Sequence, residues 1–347
     1  MTNSTALIEK AEAGGILTRA EAESIMEELL SGRVDTPAIV RLLVAMNLRP
    51  VSVAELAGFA STMRRHAAPV FAPGEVPPEN LLDTCGTGGD ASGTFNISTA
   101  TAFVAAAAGA RVAKHGNRSS SSRCGSADVL EALGVRIDLP MRHAGQAIRQ
   151  IGIGFLFAPV AHAATRHAVP ARKQIGKRTV FNLLGPLTNP AGADRQVLGV
   201  FAHEAVDLVA ATLLELGAKC AFVVHGTGLD EISLAGETRI TEVRDGRIRS
   251  FSVTPEAFGV ARAPIEALRG GAPHENAEII RRIFQGNLGA PRDVVVVNAA
   301  AALVVAGIAE DFRSGAQLAA QTIDSGAALA KLEQLKTFAN AANDTSL

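Results

Sequence analysis

Residues 83–99 read Asp-Thr-Cys-Gly-Thr-Gly-Gly-Asp-Ala-Ser-Gly-Thr-Phe-Asn-Ile-Ser-Thr, a run that can grip an anion with its main chain. Gly86, Gly88 and Gly89 tolerate positive φ and let successive N–H groups face a ligand at close range. Asn96, Ser98 and Thr99 precede the apolar run Ala100–Ala108. The free N–H groups of a helix start are therefore expected to point the same way. Further on, Lys114-His115-Gly116-Asn117-Arg118 and four serines, Ser119, Ser120, Ser121 and Ser122, supply the cations and hydroxyls a polyphosphate needs. Two such loops in one short stretch predict a phosphorylated substrate.

Other chemistry-bearing residues stand further along. Asp230-Glu231 follow the apolar run that ends at His225 and a Gly-Thr-Gly turn. Adjacent carboxylates suit a solvated turn, and at a strand end facing a phosphate they also suit Mg²⁺, which prefers oxygen ligands. The segment Ala171–Thr179 is basic, and a planar carboxylate is best matched by the fork of an arginine, although the sequence leaves open which one. His115, His162 and His167 are the histidine candidates and form no zinc spacing. Gly86–Ala91 also fits G-x-G-x-x-A, but Arg111 and Lys114 occupy the region where a dinucleotide site needs an acid. No Gly-Lys-Ser/Thr follows, which excludes an NTPase P-loop.

These loops need a scaffold that points them at one another. Residues 1–72 read as short helices, with Thr18/Glu21 and Ser52/Glu55 as capping boxes and Pro37 in a first turn. Ala72–Glu79, rich in Pro and Gly, is the linker. From there to residue 347, apolar runs alternate with helical stretches. Strands are expected at Leu81–Thr84, Arg111–Lys114, Phe155–Ala158, Gln196–Phe201 and Ala221–His225. Helices are expected near Thr99–Ala108, Ala127–Leu133, Arg142–Ile151 and Glu204–Leu216. The fold class is thus α/β: a small helical N-terminal domain (1–72) plus a larger domain (73–347) with a mostly parallel sheet covered by helices. Asp245-Gly246 predicts a hairpin between Thr238–Arg244 and Arg247–Val253. In such sheets, ligands bind beyond the strand ends.

The composition narrows the partners. Lys plus Arg number 33 against 34 Asp plus Glu in 347 residues, so there is no basic footprint for nucleic acid or an acidic membrane. The longest apolar stretch, Val294–Ala309, is broken by Asn298 and too short to span a bilayer. Three scattered cysteines, Cys85, Cys124 and Cys220, make no disulfide framework and, with no signal peptide at the start, suit a reducing cytoplasm.

With these residues assembled, nearly the whole chain resembles the anthranilate phosphoribosyltransferases. The resemblance rests on Asp83–Asp90, Phe95–Thr99, Lys114–Arg118, Cys124–Gly134, Phe181-Asn-Leu-Leu-Gly-Pro-Leu-Thr-Asn-Pro190 and Gly228–Glu231. It implies a helical domain that makes a homodimer, with a helical stretch near 165–190 packing toward it, and a domain that holds phosphoribosyl pyrophosphate. It implies that Gly86, Gly89, Asp90, Thr94, Asn96, Ile97, Ser98 and Thr99 contact that substrate, together with Lys114, His115, Gly116, Asn117, Arg118, Ser119–Ser122 and Ser126. Asn117 and Arg172 correspond to anthranilate-binding positions, and Ser98, Asp230 and Glu231 to Mg²⁺ positions. The implied reaction attaches anthranilate's amine to C1 of the ribose, with Lys114 steadying the departing pyrophosphate and His115 as candidate proton acceptor. Two departures lie on the acceptor side. The family usually has His-Pro-Ala-Met where this chain has His162-Ala163-Ala164-Thr165, and an apolar residue or Pro at Lys177. Two alternatives share the fold, a pyrimidine nucleoside phosphorylase-like enzyme and a non-catalytic nucleic-acid-binding relative. The Asn117–Ser119 run and Asp230-Glu231 argue against the first, and near-neutral charge against the second.

Overall fold

The computed structural model describes residues 3–119 and 123–341. Its centre is a seven-stranded sheet of β1 (Leu81–Asp83), β2 (Arg111–Gly116), β3 (Ile153–Phe157), β4 (Arg195–Gly199), β5 (Cys220–Gly226), β6 (Thr238–Arg244) and β7 (Arg247–Val253). The strand order is β3-β2-β1-β4-β5-β6-β7. The pairs from β3 through β5 are parallel, and β6 and β7 add an antiparallel hairpin. Asp245 (φ 51°) and Gly246 (φ 73°) form its turn, as an Asp-Gly dipeptide favours. After β1 the chain winds outward through β2 and β3, then returns to lay β4 and β5 on the other side. The strand order therefore reverses between β1 and β4, where open α/β sheets bind ligands.

One sheet face is covered by the helix Ala290–Ala306, which lies on β1, β4 and β5 between the helices Ile97–Ala107 and Phe312–Asp324. It is apolar on every side because every side is packed. The opposite face is covered by the helix Ala205–Glu215, which in turn meets the N-terminal helix Val53–Arg65. Leu198, Val200, Ala221 and Val223 of the sheet side thus share one apolar cluster with Ile25, Leu43, Met46 and Phe59 of the N-terminal helices. A third cluster packs Met141, Ala144 and Ile148 on Leu81, Ala113 and Leu156.

The N-terminal helices start where their caps dictate. Thr18 and Glu21, and Ser52 and Glu55, close reciprocal capping boxes, while Asp35 caps Ala38 at 2.9 Å. Glu55 is fully buried yet satisfied, accepting from the Leu17 amide at 3.0 Å and pairing with Arg49. Two further bonds tie these helices to the segment before β4. Asn47 Nδ2 donates to the Arg178 carbonyl and Arg64 Nε to the Leu187 carbonyl, both at 2.9 Å. Helix Val169–Ile175 packs on helix Thr36–Asn47. Among the described residues no helix is long and apolar enough to cross a membrane.

Candidate active site

The loop after β1 is folded by its left-handed residues: Gly88 (φ 63°), Gly89 (81°), Ala91 (62°) and Gly93 (70°). Ala91 is a non-glycine in that region, a conformation held only where surroundings over-determine it. Those surroundings are visible. The Thr87 amide donates to the Gly199 carbonyl at 2.8 Å, and its hydroxyl accepts from the Phe201 amide at 3.0 Å. Asp90 accepts from the Ser92 amide at 3.1 Å and from the Asp230 amide at 3.2 Å. A methyl group on Gly199 would stand 1.5 Å from the Asp230 carbonyl oxygen, so only glycine lets the end of β4 meet that loop. The loops at the ends of β1, β4 and β5 interlock at the reversal of strand order.

Asn96 is expected to help open the following helix, and it stands at the cap of Ile97–Ala107, but its side chain makes no capping bond. Instead Oδ1 accepts from Asn276 Nδ2 at 2.9 Å, and Nδ2 donates to the Cys124 carbonyl at 3.1 Å. Without a capping side chain, the first-turn amides are left to face whatever lies beyond them. The Ser98 amide acts on the Glu231 carboxylate, lowering its pKa against the effect of burial. Ile97 and Thr99 are buried in the core beneath. Thr94 lies on the loop wall, bridged to Arg269.

From β2, Lys114 is buried with Nζ donating to the carbonyls of Thr84 and His115, both at 3.3 Å, and its charge reaches Asp83 and Glu231. His115 requires a correction. Burial, then His162 and Lys114, push its pKa down to about 3, and its ring packs edge-on against His162 at 5.2 Å. At 2% exposure, with that lowered pKa, it is a poor proton acceptor. The Asn117 amide donates to Ser126 Oγ at 3.1 Å, which folds Gly116–Ser119 over the start of helix Ser126–Ala132. Arg118 is spent on Asp128 at 2.9 Å and on Glu131. Ser120, Ser121 and Ser122 lie outside the described residues.

The carboxylates carry the electrostatic signature. Burial and then Asp90 raise Asp230 to about 7, and burial and then Asp230 raise Glu231 well above its usual range. Crowded anions of this kind favour either protons or a cation. The donor set, all oxygen with Ser98 alongside, fits Mg²⁺. A second grouping brings ligand atoms of Asp83, Cys85 and His115 within 4.8 Å of one another. Both Asp83 oxygens already accept, from the His115 amide at 3.2 Å and Asn189 Nδ2 at 2.8 Å, and Lys114's charge bears on Asp83 and Cys85. Asp83 thus forms a hydrogen-bonded base for the loops.

The segment 163–178 is differently made. Arg172, on helix Val169–Ile175, lies 5.3 Å over the Phe181 ring. Burial lowers its pKa, and among the described residues its guanidinium has no hydrogen bond or ion pair. A half-buried guanidinium fork is suited to a planar carboxylate. Arg178 lies 4.3 Å over Phe201 and donates to the Gly89 carbonyl, tying this segment to the glycine loop. Thr165 Oγ1 donates to the His162 carbonyl at 2.7 Å, and Lys177 is exposed.

An α/β domain with a glycine loop at its switch point and a helical bundle sharing its core is the architecture of a glycosyl transferase family. Residues 78–329 match the profile described as "Glycosyl transferase family, a/b domain", and residues 5–67 the one for its "helical bundle domain". The chain belongs to the anthranilate phosphoribosyltransferase family. The relative from Desulfatibacillum aliphaticivorans is 50% identical over 333 residues, 96% of this chain and 97% of its own. The crystal structure of the Thermus thermophilus enzyme aligns with TM-score 0.91 at 47% identity, over 96% of this chain and 99% of that one. The Saccharomyces cerevisiae enzyme in complex with PRPP and Mg aligns with TM-score 0.88 at 25% identity, over 97% and 98%.

Proposed function

We propose that this chain transfers the phosphoribosyl group of phosphoribosyl pyrophosphate to the amine of anthranilate, giving N-(5-phosphoribosyl)anthranilate and pyrophosphate in tryptophan biosynthesis. One observation carries the reading. Around a single strand-order reversal stands a glycine loop with crowded carboxylates, and Arg178 ties it to a segment bearing an unpaired arginine. The full-length relatives at about half identity bear the same activity in their names.

The site residues take these roles. Gly86, Gly89, Asp90, Thr94 and Asn96–Thr99 shape the pocket for the diphosphate and ribose, with Lys114, Gly116, Asn117, Ser119 and Ser126 along its other wall. Ser98, Asp230 and Glu231 hold Mg²⁺, which when bound neutralises charge on the diphosphate. Arg172 takes the ortho-carboxylate of anthranilate and, with Asn117, aims its amine at C1. The C–N bond forms as the C1–O bond to pyrophosphate breaks, and main-chain N–H groups and Lys114 receive the charge that develops on the leaving group. The nitrogen arrives neutral, and the proton it sheds is acidic enough to pass to water. A buried histidine base is not needed, which suits the state of His115.

Residues 1–72 form a dimerisation domain and 73–347 the catalytic one. Val44 (41% exposed) and Leu48 (82%) sit one turn apart, and Val169 (53%) starts the helix packed beside theirs, an apolar patch that suits a second copy. Three free cysteines and a biosynthetic role suit the cytoplasm. The test is direct. Anthranilate fluorescence should decay when phosphoribosyl pyrophosphate and Mg²⁺ are both added, and should hold steady with either omitted. Persistence of the fluorescence in the full mixture would overturn the assignment.

A further inference from the structure

Asn298 is the one polar residue in the apolar stretch Val294–Ala306, and it is 1% exposed. Its side chain is saturated. Oδ1 accepts from the Ile232 amide at 3.0 Å, and Nδ2 donates to the Ile232 carbonyl at 3.0 Å and to the Val294 carbonyl at 2.9 Å. The amide thus pairs with both polar groups of one peptide residue, as a neighbouring strand would. Aspartate lacks the donor and leucine lacks both groups. Ile232 directly follows Asp230 and Glu231, and the next residue, Ser233, is anchored too, its amide donating to Thr238 Oγ1 at 3.0 Å. Without Asn298, two main-chain groups beside the carboxylates would be buried and unpaired.

We infer that Asn298 is a positioning residue for the metal site: from the buried helix behind the sheet it fixes the peptide that carries Asp230 and Glu231. A mutual-repulsion pair such as these two carboxylates drifts apart unless the backbone is held. Asn298 supplies that hold without touching substrate or metal. This inference rests on the assignment of Asp230 and Glu231 to Mg²⁺.

The experiment uses the full-length enzyme with Mn²⁺ as a spectroscopic stand-in for Mg²⁺. Mn²⁺ binding in the presence of phosphoribosyl pyrophosphate is read by electron paramagnetic resonance, alongside steady-state kinetics. Asn298→Ala should weaken Mn²⁺ binding and raise the Mg²⁺ requirement by roughly tenfold or more, the usual range for a lost outer partner of metal ligands. KM for anthranilate should stay within about twofold. Leu303→Ala, in the same helix and fully buried, should lower the melting temperature without moving Mn²⁺ binding. If Asn298→Ala does not fold, Asn298→Asp, which keeps the shape and one acceptor, is read in its place and should show the same direction. A folded Asn298 variant with wild-type Mn²⁺ binding, or an equal shift from Leu303→Ala, overturns the inference. Asp230→Asn with Glu231→Gln separates the two failures: if that double variant also binds Mn²⁺ normally, the metal assignment itself is wrong.

Discussion

The two halves of the proposed site bury opposite charges. On the donor half, burial and then Asp90 push Asp230 toward protonation, and burial and then Asp230 do the same to Glu231. On the acceptor half, burial beside Phe181 lowers the pKa of Arg172. The donor half is pinned from behind by the buried asparagines Asn189, Asn276 and Asn298. The acceptor segment rests on short helices, with Arg178 as its side-chain link to the glycine loop. A donor site pinned by buried asparagines beside an acceptor segment carried on the N-terminal helices suits a reaction in which the leaving group is held fast and the nucleophile delivered.

The strongest way to break this contrast is at the carboxylates. Asp230→Asn with Glu231→Gln should cost about 10²–10³ in kcat, the scale of losing a main stabiliser of leaving-group charge. The same change removes like-charge repulsion, so the metal-free protein should melt at a higher temperature. A variant that loses both activity and stability would instead mark these residues as structural. Next in size, Arg172→Ala should weaken anthranilate binding by about 1.5–3 kcal/mol, the worth of a charge-assisted bond, and leave phosphoribosyl pyrophosphate nearly unaffected. Equal losses for both substrates would erase the division into halves. Smaller still, Arg178→Ala should raise KM for phosphoribosyl pyrophosphate by a few fold, one hydrogen bond at about 1 kcal/mol. An effect on anthranilate alone would show that Arg178 serves only its own side.

Much of this is legible in the sequence wherever the information is local. The Asp245-Gly246 turn, both capping boxes and all five parallel strands follow from neighbours within a few residues. So does the placing of the glycine loop, the Lys114 loop and Asp230-Glu231 at strand ends. The rest depends on partners far apart in the chain. Asn189 reaches Asp83 across 106 residues, Asn298 reaches Ile232 across 66 and Asn276 reaches Asn96 across 180. No periodicity announces such pairs, although an isolated Asn in an all-apolar helix, as at Asn298, is a signal open to reading. The state of His115 escapes the sequence for the same reason. Its neighbours along the chain are a lysine and a glycine, whereas its burial and its contact with His162 are made by the fold.

The smallest effect tests the charge contrast without mutation of the site. Asp230 and Glu231 bind protons more tightly folded than unfolded, so they subtract stability as pH rises above the unfolded carboxyl value of about 4 and through their raised folded values. His115 and His162, lowered to about 3 and about 4 by burial, act oppositely. Their unfolded forms take up protons below about pH 6.5, so stability grows with pH up to that point and then no longer changes on their account. The two trends offset each other below about pH 6.5; above it the raised carboxylates act, Asp83 with them because burial raises it too. Metal-free protein should therefore lose a few degrees of melting temperature between about pH 6.5 and 8, on the usual scale of degrees per kcal/mol. Saturating Mg²⁺ should flatten that fall, because the cation takes the place of the lost protons. A fall that persists unchanged in Mg²⁺ would mean that the repulsion lies somewhere other than at the metal carboxylates.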